Sequence, residues 1–66
     1  MDYEKVYNNL IENRQLNKLK HKGDYTVEQH HIIPRSCGGT DDKSNLVYLT
    51  CREHFIAHWL LVKVAL

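Results

Sequence analysis

Several things this chain does not have narrow it quickly. Its two cysteines, Cys37 and Cys51, stand far apart with no CxxC spacing, so neither a zinc knuckle nor a redox pair is indicated and both read as free thiols. Its longest apolar run, WLLV at 59–62, is far too short to span a membrane. The opening MDYEKVYNNL carries acids and polar residues where a secretory leader would need an apolar stretch, so a cytoplasmic protein is expected. No repeat, low-complexity segment or interdomain linker interrupts the 66 residues, which allow one small domain. A chain of that size buries only about 60% of its unfolded surface, so a metal or a partner would help to hold it together. Nor is there much net charge: nine Lys/Arg against eight Asp/Glu leave +1, which by itself points to no polyanionic partner. Distribution says more, because RQLNKLKHK gathers Arg14, Lys18, Lys20 and Lys22 without an acid among them. Such a patch suits either phosphates or a solvated helix end.

Four pieces of structure follow from the pattern. Tyr3, Val6, Tyr7, Leu10 and Ile11 recur at helical spacing and predict an amphipathic helix over 2–20, broken by HKGD at 21–24. YTVEQHHII at 25–33 reads as a strand ended by Pro34. PRSCGGTDDKSN at 34–45 has the composition of a loop throughout, and LVYLT at 46–50 that of a second short strand. Thr50 followed by Glu53 forms a capping box that starts a helix at about Cys51 and runs it to the C-terminus. The order is helix, strand, long loop, strand, helix, an α+β arrangement. Phe55 and Trp59 are expected in the core, where the last helix packs on the hairpin.

The histidines are the unusual feature. EQHHIIPRSCGG places His30 and His31 side by side, and the last helix carries His54 and His58 at i and i+4, on one helical face. If the two strands pair and the helix crosses them, four imidazoles converge. The run Glu28-x-His30-His31, then Asn45, then His54-x-x-x-His58 resembles the HNH, or ββα-metal (His-Me finger), nuclease motif, and its surroundings look most like the phage-encoded homing-type endonucleases. The likeness covers roughly residues 25–62. It implies a two-stranded antiparallel hairpin plus a C-terminal helix, preceded by an N-terminal helix. On that reading residues 1–24 are an amphipathic helix and basic segment, and 25–66 the nuclease core of a single domain.

Carried over position by position, the resemblance implies that His30, His54 and His58 hold one divalent metal ion and that His31 is the general base. It implies that Asn45 keeps the loop and the hairpin in register through backbone hydrogen bonds. Glu28 would orient a histidine or tune its basicity. The metal is open among Mg, Mn, Ni, Co and Zn. DNA is the implied partner, with Arg14, Lys18, Lys20, Lys22 and Arg35 as candidate phosphate contacts. The implied activity is hydrolysis of DNA phosphodiesters to 5′-phosphate and 3′-hydroxyl ends.

The chemistry is coherent on its own terms. A cation on three neutral imidazoles keeps its full charge and open positions for phosphate oxygens, while a fourth imidazole, titrating ordinarily at about 6.5, can take a proton from water at neutral pH. One tension stands against it: neighbouring residues on a strand point to opposite faces, so His30 shares its side with Glu28 and Ile32, whereas His31 sits with Gln29 and Ile33. Two other readings stay open, a metal-stapled DNA-binding module and an inactive, truncated remnant. WLLVKVAL is apolar nearly all round, which suggests either truncation or a homodimer through that helix.

Overall fold

The computed structural model describes residues 1–19 and 27–65. The chain runs through a helix α1 (Tyr3–Leu16), a strand β1 (Val27–His31), a strand β2 (Leu46–Thr50) and a helix α2 (Cys51–Ala65). Short 3-10 turns at Arg35–Cys37 and Lys43–Asn45 lie inside the segment read as loop. Lys20, His21 and Lys22, with the predicted break at 21–24, fall outside the described residues.

Asp2 starts α1 by accepting the Lys5 backbone N–H at 3.0 Å, which satisfies one of the donors left over at a helix N-terminus. The helix stops earlier than its apolar spacing predicts. Asn17 leaves the helical region (φ −115°, ψ 71°), and its side-chain amide donates to the Asn13 carbonyl and to Asn13 Oδ1. An asparagine that can bond the preceding turn in this way competes with the backbone ladder and ends it. Of the predicted stripe, Tyr7 and Ile11 are buried, Tyr3 and Leu10 pack beside them, and Val6 faces solvent.

The two strands pair antiparallel, with His30 opposite Val47 and Glu28 opposite Leu49. Alternation along the strands therefore places Glu28, His30, Val47 and Leu49 on one face. That face is the inner one: Val47 and Leu49 are buried with Tyr7, Ile11, Ala57 and Leu60 in a single core. The capping box forms as its spacing predicts. Glu53 N–H donates to Thr50 Oγ1 at 3.1 Å and Thr50 N–H donates to Glu53 Oε1 at 3.0 Å.

The helices lie antiparallel across the sheet. Tyr3 at the start of α1 meets Trp59 well along α2, ring edge to ring face with centroids 5.7 Å apart, while Arg14 near the end of α1 reaches Glu53 in the first turn of α2. Two core assignments need correction. Phe55 is 76% exposed and Trp59 46% exposed, because α2 turns Ala57 and Leu60 inward and presents Phe55, Ile56, Trp59, Val62 and Val64 outward. A helix apolar on nearly every side does not declare which side it buries. No helix among the described residues is long and apolar enough to cross a membrane.

Candidate metal centre

Three of the four imidazoles come together. Candidate ligand atoms of His30, His54 and His58 all lie within 4.8 Å of one another. The His30 ring stands edge-on to the other two, with centroids 5.1 Å from His54 and 5.3 Å from His58. The fourth does not join them, and the expected four-way convergence is corrected by the strand geometry itself. His31 points away from the inner face, and its Nε2 lies 2.7 Å from Asp41 Oδ1.

His54 and His30 are each held by a partner on a different element, whereas His58 meets His54 one turn away on the same helix. His54 Nδ1 lies 2.8 Å from Glu28 Oε1, across from α2 to β1. The hydrogen bond to His54 is the main reason the Glu28 carboxyl stays below its ordinary pKa, so the carboxylate can only accept. His54 therefore carries its proton on Nδ1 and turns the Nε2 lone pair toward His58, whose Nε2 is 3.0 Å away. Since Glu28 takes the Nδ1 proton of His54, the shared contact needs His58 to donate its Nε2 proton; with a divalent ion bound, His54 and His58 would be the residues that hold it through these nitrogens.

His30 is the buried member, at 2% exposure. Its Nε2 lies 2.8 Å from the Tyr7 hydroxyl, which donates to the Ile32 carbonyl at 2.7 Å. Burial, followed by the nearby His54, His58 and His31, pushes the pKa of His30 down to about 4, so it stays neutral as a metal ligand must. Burial likewise raises the Tyr7 phenol to about 12 and keeps it a hydroxyl. A donor set of three imidazole nitrogens suits a borderline divalent cation.

Asn45 closes the connection between the strands. Its Oδ1 accepts from Ile33 N–H at 2.8 Å, its amide donates to the carbonyls of Ile33 and Thr40 at 3.1 and 2.8 Å, and its own carbonyl accepts from Ile32 N–H at 2.8 Å. The side chain is buried, so these bonds form out of competition with water. Gly39 makes the closure feasible: a Cβ there would overlap the Ile33 carbonyl oxygen and come 2.9 Å from Asn45 Nδ2.

The basic candidates fare differently. Arg14 spends its guanidinium on Glu53, with Nε 2.9 Å from both carboxylate oxygens and Nη2 2.7 Å from Oε2. Burial would raise the Glu53 pKa, but the Arg14 and Thr50 hydrogen bonds outweigh it and hold the group low. Lys18 and Arg35 are exposed. Two partners of the histidines, Tyr7 and Asp41, carry no signal in the motif; Tyr7 read as an ordinary core position of a helix, and Asp41 as turn chemistry.

Comparison with known proteins shows the family. A family model described as HNH endonuclease matches residues 16–58. The chain is 62% identical over 65 residues to the probable mobile endonuclease D of Enterobacteria phage T4, covering 97% of this chain and 25% of the relative. It is 55% identical over 64 residues to the probable mobile endonuclease E of the same phage, covering 97% of this chain and 43% of that protein. An uncharacterized 38.5 kDa protein in psbA intron 1 of Chlamydomonas moewusii is 42% identical over 53 residues, 80% of this chain and 14% of its own length. The chain thus spans less than half the length of these curated relatives. No solved structure matches it.

Proposed function

Because the chain belongs to the HNH endonuclease family, we propose that it hydrolyses DNA phosphodiesters with a divalent cation, leaving 5′-phosphate and 3′-hydroxyl ends. One observation carries the reading: His30, His54 and His58 draw together while His31, their immediate neighbour in sequence, stands apart with its own carboxylate. Three rings are thereby suited to hold a cation and one is left to move a proton. A divalent ion bound there would supply Lewis-acid charge to the scissile phosphate oxygens.

The chain's own residues do the rest. The Asp41 carboxylate, held low chiefly by its hydrogen bond to His31, accepts the Nε2 proton and leaves Nδ1 with the lone pair. That nitrogen takes a proton from the attacking water as its oxygen closes on phosphorus, and the departing 3′ oxygen takes its proton from solvent water. Glu28 fixes the His54 ring, and Asn45 ties the loop after His31 to β2, so the base and the ligands keep their separation. Arg35 and Lys18 are the described basic candidates for backbone phosphates, while the commitment of Arg14 to Glu53 makes it a brace between helices. The relatives named as mobile endonucleases support a phage homing-type role.

Nicking of supercoiled plasmid tests the proposal, with Mg²⁺, Mn²⁺, Ni²⁺ or Zn²⁺ against EDTA and with labelling of the product ends. Cation-dependent nicks bearing 5′-phosphates, lost in His31→Ala, are expected. Cation binding with no nicking under any condition would overturn it in favour of a metal-stapled binding module.

A further inference from the structure

Tyr7 lies on α1, well before the hairpin and helix that carry the histidines, yet its hydroxyl reaches the most buried of them. The oxygen is 2.7 Å from the Ile32 carbonyl and 2.8 Å from His30 Nε2. A phenol has one proton and a carbonyl can only accept, so that proton belongs to Ile32. The contact with His30 must then run the other way, with Nε2–H donating to the Tyr7 oxygen. A neutral imidazole has a single N–H, so the lone pair of His30 resides on Nδ1.

We infer that Tyr7 is a positioning residue that fixes His30 as an Nδ1 ligand, in contrast to His54, which Glu28 fixes as an Nε2 ligand. The inference rests on reading the three histidines as a cation site. Its physical content is directional: a ring free to hold its proton on either nitrogen spends part of its time with N–H turned toward the ion, and that fraction cannot bind. Because the phenol is anchored at the same time to the Ile32 carbonyl, just beyond β1, the ring plane is fixed as well as the proton. Partners of this kind are typically worth about 10–100-fold in metal affinity. It also makes α1 part of the site, since the hydroxyl that sets the tautomer of His30 is delivered by a helix outside the motif.

The test uses the full chain labelled with ¹⁵N-histidine, long-range ¹H–¹⁵N correlation of the rings, and Zn²⁺ alone as a diamagnetic probe. In the wild type His30 should carry its proton on Nε2 before Zn²⁺ is added and keep it afterwards, with the zinc-induced shift on Nδ1. Tyr7→Phe retains the ring, should mix the two tautomers of His30, and should weaken Zn²⁺ binding about 10–100-fold. A zinc shift on Nε2 of His30 in the wild type, or a Tyr7→Phe affinity within twofold of wild type, would overturn the inference. Should Tyr7→Phe fail to fold, the wild-type spectra decide alone. Zinc shifts on His54 and His58 with His30 ligating through Nε2 would refute the role of Tyr7 and leave the cation site standing, whereas no shift on any of the three rings would refute both.

Discussion

Glu28 Oε1 accepts the Nδ1 proton of His54 at 2.8 Å, joining β1 to α2 at the edge of the histidine cluster. The bond sets which nitrogen of His54 is available to an ion and makes the ring more basic. Glu28→Gln keeps an acceptor without the charge and should raise the dissociation constant for Mn²⁺ or Zn²⁺ by about tenfold, with Glu28→Ala losing more, toward about 100-fold. Calorimetric titration of the purified variants measures this. Equal affinity in all three proteins would mean that Glu28 does not orient His54.

The two glycines of the loop should respond differently. Gly38 sits at φ +91° with open space around it, so Gly38→Ala meets only backbone strain and should cost about 1–2 kcal/mol. Gly39 has no room at all against the Ile33 carbonyl and the Asn45 amide, so Gly39→Ala must break the Asn45 closure and should cost about 3 kcal/mol or more. Urea denaturation ranks the pair; a milder effect at Gly39 than at Gly38 would contradict the described loop.

Acid should destabilise the cation-free protein in a defined window. The folded pKa of His30 is about 4, below the ordinary 6.5 that the unfolded chain regains. Between those values the unfolded state binds a proton that the folded state refuses, so the His30 contribution is constant above about pH 6.5 and stability falls as pH drops toward about 4. The loss should approach about 3 kcal/mol at the lower end. Urea midpoints measured in EDTA from pH 7.5 to 4.5 check it, and His30→Asn should flatten the slope. A wild-type midpoint unchanged between pH 7 and 5 would count against the buried neutral ring.

At the entrance to α2 the reciprocal cap should outweigh the ion pair. Thr50→Ala removes the acceptor for Glu53 N–H and should cost about 1 kcal/mol. Arg14→Met removes a partly exposed guanidinium from Glu53 but keeps its apolar stem, and should cost less than about 1 kcal/mol. Denaturation midpoints of the two variants settle the order, and a larger loss in Arg14→Met would show that the ion pair carries the junction.

Much of this was legible in the residues, for identifiable reasons. Alternation in LVYLT, the Thr50–Glu53 spacing and the i, i+4 pair of His54 and His58 are local rules, and the structure obeys each of them. What the residues hid was either relational or a choice between equals. Nothing local marks Tyr7 as a partner of a residue 23 positions on. Asp41 resembles every other turn aspartate until the loop brings it to His31. Phe55 and Trp59 stay outside the core because α2 is apolar on several faces and only packing selects Ala57 and Leu60. The opposition of His30 and His31, by contrast, followed from strand alternation, and it is what divides three rings from one.

That division is the central claim, and metal titration of His31→Ala beside His58→Ala tests it most directly. If three rings bind and one does not, His31→Ala takes up Mn²⁺ or Zn²⁺ with wild-type affinity, while His58→Ala loses about 100-fold or more. Equal losses in the two variants would place His31 among the ligands and contradict the account.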